Sequence, residues 1–173
     1  MKPMNYSLYR ERTLGTARAL ELRLEIEAFH ADYCAALDAG MVEHWPRFFT
    51  DDALYRITAR ENADDNLPVG LVYADSKAMI RDRAFAVKHT QMYAPRYMQH
   101  FVTNVRIVEA GKERIKAQAN YLLLQTLVDG PSTIHQAGRY YDTFVRQGGK
   151  LLLKERQCVY DTVLIANDLV MPV

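Results

Sequence analysis

The chain is poor in every feature that would mark a specialised class. Only 2 cysteines occur in 173 residues, Cys34 and Cys158, far apart and each in apolar surroundings. A disulfide framework needs more thiols and closer ones, so both are expected to be buried and free. Glycine and proline are scarce, at 8 and 6, which excludes collagen-like and low-complexity chains. An excess of one charge is missing too: Lys+Arg is 22 against Asp+Glu 21, a formal net of +1. No positive field exists for phosphates to condense onto, so no nucleic acid partner is expected. No apolar run approaches the ~18–20 residues that cross a bilayer, so no membrane is expected either. Met1 to Ser7 contains no apolar signal core, and the expected compartment is the cytoplasm.

What is present is ordinary globular material, 49% hydrophobic and 25% charged. One domain fits this length and can bury roughly 70% of its unfolded surface without a staple. Residues 1–18 are polar and weakly periodic and read as an N-terminal arm. From Leu20 a helical stripe begins, with Leu22, Ile26, Phe29, Tyr33 and Leu37 at spacings of three and four and Gly40 as its stop. A short helix over Val42–Phe49 presents Trp45 as an anchor and leads into a strand, Ala53–Ala59. Arg60–Pro68 reads as a polar surface loop. Val69–Tyr73 reads as a short strand, and Asp75 or Ser76 caps a helix to about His89 whose inner side carries Met79, Ile80, Ala84 and Val87. The second half is strand-like: Phe101–Glu109, Arg114–Val128, Thr133–Arg146 and Leu151–Tyr160, separated by short glycine-bearing breaks. Helices first and a meander last make the class α+β: N-terminal helices on a strongly curved antiparallel or mixed sheet, a cone with an open mouth.

The chemistry-bearing motifs are also missing. The histidines are His30, His44, His89, His100 and His135, with no His-x-x-x-His, no Cys-x-His and no Cys-x-x-Cys. Gly-x-Gly-x-x-Gly, the phosphate-cradling loop and Gly-x-Ser-x-Gly do not occur. No cofactor and no metal are expected in this chain. General acid–base chemistry remains possible in a cone, where His89, His100, Tyr33, Tyr55 and Asp38 are the candidates to converge. A scattered His or Tyr is more often a hydrogen-bonded structural residue. Arg81 and Arg83 flank Asp82, and a guanidinium's two-pronged donor geometry suits a carboxylate within the chain or across an interface. The tyrosines, 11 in all, suit a subunit interface as well as a core. Arg156 and Asp161 read as a sheet-edge ion pair.

Several segments, in unbroken order, carry a resemblance. They are Leu37–Gly40, Trp45–Tyr55, Asp75–Arg83, His100–Asn104, Gly138–Asp142 and Lys154–Asp161. Together they resemble the small (β) subunits of aromatic-ring-hydroxylating oxygenases over about residues 20–173. Arg60-Glu61-Asn62, Leu67-Pro68, Ser76–Arg83 and Cys158–Asp161 are most similar to the small subunit of salicylate 5-hydroxylase, with terephthalate dioxygenase small subunits next. The resemblance implies an NTF2-like cone, with 19–173 as a single small-subunit domain. It implies a partner, the large (α) subunit, which carries the Rieske [2Fe–2S] cluster and the mononuclear iron. It also implies a homotrimer within an α3β3 assembly, with no catalytic residue carried by this subunit.

Two functions follow as expectations. The first is a non-catalytic subunit of an oxygenase acting on an aromatic carboxylate such as salicylate or terephthalate, with Arg81, Arg83 and Tyr140 as interface candidates. The alternative is a free-standing, cofactor-independent dehydratase or isomerase with a His/Asp/Tyr pocket. A weaker third option is a ligand-binding module. A cone plugged by its own side chains favours the first, and a His–Tyr or His–Asp pair inside a roomy cone favours the second.

Overall fold

The structure, a computed structural model, describes residue 9 and residues 14–90, 92–165 and 171–173. Helix α1 (Ala17–Asp38) begins where the Thr16 hydroxyl accepts the Ala19 N–H at 3.1 Å. This cap satisfies a donor that the first helical turn leaves unpaired and starts the helix ahead of Leu20. Leu22, Ile26, Tyr33 and Leu37 are buried, as their spacing predicts, and His30 and Cys34 complete the stripe. The helix ends on Gly40, whose φ of +69° lets its N–H reach Leu37 O at 2.9 Å while Met41 N–H reaches Ala36 O.

A 3₁₀ helix (Val42–Phe48) carries Trp45 fully into the core, as expected of an anchor. Strand β1 (Phe49–Ala59) starts earlier than the polar Thr50-Asp51-Asp52 suggests, because Asp51 and Asp52 lie exposed on the strand. Part of the expected loop is a short helix, α2 (Arg60–Asp64), which buries Ala63. Strand β2 spans only Val72–Ala74. Helix α3 (Lys77–His89) is capped by the Ser76 hydroxyl and buries Ile80, Ala84 and Val87, whereas Met79 faces outward.

The meander comprises β3 (Arg96–Ala110), β4 (Ile115–Leu127), β5 (Ser132–Gln147) and β6 (Lys150–Tyr160). One six-stranded mixed sheet has the order β2-β1-β6-β5-β4-β3, with β1 parallel to β6. Gly148 and Gly149, at φ +57° and +79°, turn β5 into β6, a pair of left-handed positions that glycine adopts without steric cost. In β3 the register slips twice, between Thr103 and Arg106 and between Ile107 and Glu109, and Asn104 stands at φ +56°. Such bulges bend a strand and increase its twist, which curves the sheet around α1. The architecture is the α+β cone that the sequence implies. Most of the segment 1–18 lies outside the described residues. Within it, Tyr9 is buried edge-on against Tyr141 with ring centroids 4.9 Å apart, and Leu14 N–H donates to Ile107 O at 2.9 Å. No described helix is long and apolar enough to cross a membrane.

Inward positions on the strands alternate with outward ones. Gly138 pairs with Tyr121 on one side and Tyr160 on the other. A Cβ there would lie 2.2 Å from Val159 O and 2.7 Å from Tyr160 Cα, both backbone atoms that cannot step aside. Gly138→Ala is therefore expected to destabilise the fold by about 2–3 kcal/mol in urea unfolding, a typical cost of overpacking. Thr16→Ala removes one cap and is expected to cost about 1 kcal/mol in the same measurement.

Candidate functional site

The floor of the cone is built by register. Arg156 on β6 pairs with Asp142 on β5 and with Tyr55 on β1, so all three stand in one row on the concave face. Arg156 Nε and Nη2 donate to the two oxygens of Asp142 at 3.0 and 2.7 Å. Nη2 also lies 3.1 Å from His30 Nδ1, contributed by α1. The guanidinium carbon sits 4.3 Å from the Tyr33 ring centroid and 4.1 Å from that of Tyr140, a cation between two aromatic faces. These groups are almost completely excluded from solvent.

That exclusion sets their charge states. Burial, then the Arg156 charge, pushes His30 well below the usual imidazole range, so it is neutral and accepts from the guanidinium. Burial works against the Arg156 charge, but the Asp142 carboxylate together with Tyr33 and Tyr140 outweighs it and the net direction is upward. Burial raises the phenols of Tyr33, Tyr55 and Tyr140, which remain protonated donors. An open groove of about 460 Å³ between α1 and β3 is lined in part by Cys34. Burial lifts the Cys34 thiol to about 11, so it is no thiolate near neutrality. Both cysteines are free and buried, as expected.

Above this floor the chain fills its own cone. Val173 is fully buried, and its carbonyl oxygen accepts from the hydroxyls of Tyr33 at 3.0 Å and Tyr55 at 3.1 Å. Val173 N–H donates to the Tyr55 oxygen at 2.9 Å, and Trp45 Nε1–H donates to the Tyr33 oxygen at 2.7 Å. Nearer the mouth, His100 Nδ1 lies 2.6 Å from Asp38 Oδ1 and His100 Nε2 lies 3.3 Å from Pro172 O. Asp38 also accepts the backbone N–H of His100, which fixes the end of α1 to β3.

Of the five acid–base candidates, Tyr33 and Tyr55 meet on the backbone of Val173, His100 lies against Pro172 O, and Asp38 pairs with His100. His89 stands apart on α3, paired with Glu43 at 3.1 Å and stacked on Phe85. Of the interface candidates, Arg81 is exposed and Arg83 half-buried. Tyr140 is fully buried beneath Arg156, so it cannot face a partner. The expected Arg156–Asp161 pair is also corrected: Arg156 points inward to Asp142, and Asp161 pairs with Arg60 and Arg139. Sequence alone does not bring Arg156, Asp142 and His30 together, because a long charged side chain on a strand reads as solvated. Their signal was alternation, since Asp142 and Arg156 both occupy inward positions of their strands. No three His, Cys, Asp or Glu side chains among the described residues gather closely enough to hold a metal ion.

Comparison with known proteins completes the picture. Residues 18–157 match the SnoaL-like domain family. The chain is 36% identical over 149 residues to the anthranilate 1,2-dioxygenase small subunit of Burkholderia cepacia, covering 86% of this chain and 92% of the relative. It is 31% identical over 149 residues to a terephthalate 1,2-dioxygenase terminal oxygenase component subunit beta of Comamonas sp, covering 86% and 97%. A crystal structure from Novosphingobium aromaticivorans, described as the beta subunit of an aromatic-ring-hydroxylating dioxygenase, superposes with a TM-score of 0.82 at 37% identity, covering 90% of this chain and 99% of that one.

Two outcomes test the buried ion pair. Asp142→Asn leaves Arg156 charged and uncompensated, and is expected to lower stability by about 3–5 kcal/mol in urea unfolding. Loss of the exposed Arg114–Glu109 pair is expected to cost ~0–1 kcal/mol. His30 supplies the pH dependence. It is held neutral in the fold, whereas in the unfolded chain it takes up a proton near the ordinary value of about 6.5. Acid therefore favours unfolding: the stability is fully present above about pH 6.5 and falls by up to about 1.4 kcal/mol per pH unit below it. His30→Asn keeps an acceptor for Arg156 and removes the titration. Its denaturation midpoint is expected to show a shallower loss between about pH 6.5 and 5 than the natural chain.

Proposed function

The chain belongs to the SnoaL-like domain family and, within it, to the small subunits of ring-hydroxylating dioxygenases, and from that premise we propose that it performs no chemistry itself and organises catalytic large subunits that act on an aromatic carboxylate. The observation that carries this reading is the filled cone. The hydroxyls and imidazole that an acid–base enzyme would turn toward a substrate are engaged by the chain's own residues 172 and 173, and the Asp38 carboxylate is engaged by His100. A dehydratase or isomerase needs the His100–Asp38 pair to face a reacting atom, and here the ring's second nitrogen faces Pro172 O.

The choice of an aromatic carboxylate rests on the relatives, whose names specify anthranilate and terephthalate, both ring carboxylates. The Rieske [2Fe–2S] cluster and the mononuclear iron are assigned to the large subunit, as the described residues of this chain offer no ligand set for either. Two surfaces suit the assembly. On α3, Arg81 is exposed one turn from the outward Phe85, a guanidinium next to an apolar ring that fits a carboxylate on the large subunit. On the convex side of the sheet, Tyr97, Phe101 and Ile134 are exposed, with Leu122 and Leu124 between them in register. An apolar sheet face of this kind suits contact between copies of the chain, and a homotrimer within an α3β3 assembly is the arrangement we infer.

Charge reversal separates assembly from folding. Arg81→Glu, co-expressed with the large subunit, is expected to shift the complex on size exclusion from hexamer toward free subunits, with an unchanged far-UV spectrum of the isolated chain. A hexamer population equal to that of the natural pair would count against the α3 surface. Turnover of a small molecule by the isolated natural chain, abolished by His100→Ala, would overturn the non-catalytic reading.

A further inference from the structure

We propose that the convex face of the sheet carries a binding groove for a small, singly charged carboxylate, built from Arg23, Arg106 and Arg139 around the buried amide of Gln118. A hollow of about 490 Å³ borders the bulge of β3. Arg23 enters it from α1, Arg106 from β3 and Arg139 from β5, and no Asp or Glu lines it. Register explains the convergence. Arg106 stands opposite Gln118, and Asn120 stands opposite Arg139, in adjacent rows on one face of three neighbouring strands. The register slip between Thr103 and Arg106 adds Asn104 to the same wall. Asn104 is held at φ +56°, a left-handed position that asparagine tolerates better than most residues.

Gln118 distinguishes this groove from a gap between surface arginines. It is only 8% exposed, and its side chain makes no hydrogen bond to another described residue. It lines the groove and also an adjoining hollow of about 330 Å³, where Arg60 joins Arg106 and Arg139. Buried polar side chains almost always have a partner. A buried amide that lacks one, set among guanidinium groups, has its donor free for a ligand oxygen.

The charges define the ligand class. A guanidinium presents two parallel N–H donors, which match the two oxygens of a carboxylate. Asp161 pairs with Arg60 and lies 3.7 Å from Arg139, and Glu27 pairs with Arg23 at 2.7 Å. Both acids stand outside the groove and offset part of its charge. A singly charged carboxylate therefore balances it better than a phosphate carrying nearly two charges. In the next row on the same face Phe101 stands opposite Leu122, which gives a ring attached to the carboxylate an apolar surface to lie on. The volume is that of an ordinary small-molecule site.

Benzoate labelled with carbon-13 at its carboxylate is the probe, benzamide is the neutral control and inorganic phosphate is the rival anion. Isothermal titration and the carboxylate chemical shift are read on the full chain, on Arg139→Gln, on Gln118→Ala and on Arg114→Gln. The last removes the same charge from an exposed position outside the groove. The natural chain is expected to bind benzoate at one site and to ignore benzamide. Arg139→Gln is expected to weaken binding about tenfold, the effect of losing one charge-assisted hydrogen bond. Gln118→Ala should weaken it about threefold, and Arg114→Gln should leave it unchanged. If Arg139→Gln does not fold, Arg23→Gln on the exposed side of α1 replaces it, with the same expected loss. Absence of benzoate binding to the natural chain, equal weakening by Arg114→Gln, indifference to Gln118→Ala, or phosphate bound as tightly as benzoate each overturns the proposal. The titration is repeated on the complex with the large subunit, where binding is expected to persist. Loss of binding there overturns the free-ligand assignment and gives the groove to a carboxylate of the large subunit.

Discussion

The molecule is organised around one buried cation. Taking a guanidinium out of water costs several kcal/mol even after relaxation, and attraction to a single carboxylate offsets this only when geometry is close to ideal. Arg156 meets that condition by drawing on two other elements of the chain. β5 supplies a two-pronged carboxylate from Asp142 and one aromatic face from Tyr140, and α1 supplies the other face from Tyr33 and an imidazole acceptor from His30. Each contact also fixes its donor element. His30 and Tyr33, three residues apart, tie α1 to Arg156, and Asp142 stands opposite Arg156 in the β5–β6 register. Shifting that register by one residue would leave Arg156 opposite an outward side chain and strand a charge in an apolar interior.

How much of this could be read without coordinates depends on which force dominates locally. Helix α1 and the meander were legible because burial imposes a period, and Leu22, Ile26, Tyr33 and Leu37 or Ala117, Ala119, Tyr121 and Leu123 record it directly. The Gly148-Gly149 turn was legible because only one residue type adopts both angles cheaply. The start of β1 was not, since Asp51 and Asp52 look like a break until the strand is seen to hold them at a solvated edge. The central charge was not, because nothing local distinguishes an inward Arg156 from an outward one. Tyr33, Tyr55, His100 and Asp38 were picked out by residue type. What the first three meet, the backbone of residues 172 and 173, was invisible because a carbonyl carries no sequence signature.

A cone of this shape can serve chemistry or architecture, and the difference lies in what occupies the middle. Hydrogen-bond donors that end on a substrate make a reaction site, whereas donors that end on the same polypeptide make a rigid block. Rigidity is useful to a protein that spaces other subunits, because an error in its own shape is passed on to every surface that touches it. The tightly engaged Tyr33, Tyr55, Trp45 and Val173 cluster supplies that rigidity at the depth where α1, β1 and the 3₁₀ helix meet.

The irregular path of β3 has a consequence beyond curvature. An edge strand offers a row of unpaired amides, and a long straight one invites further strands to add without limit. Here the slips at Thr103–Arg106 and Ile107–Glu109, with Asn104 twisted left-handed, break that row into pieces, and the opposite border is the three-residue β2. Neither rim is a good template for fibril-like growth. Any ordered self-association of this protein is thereby steered away from its sheet borders and onto broad side-chain surfaces, where a rotational arrangement can close on itself.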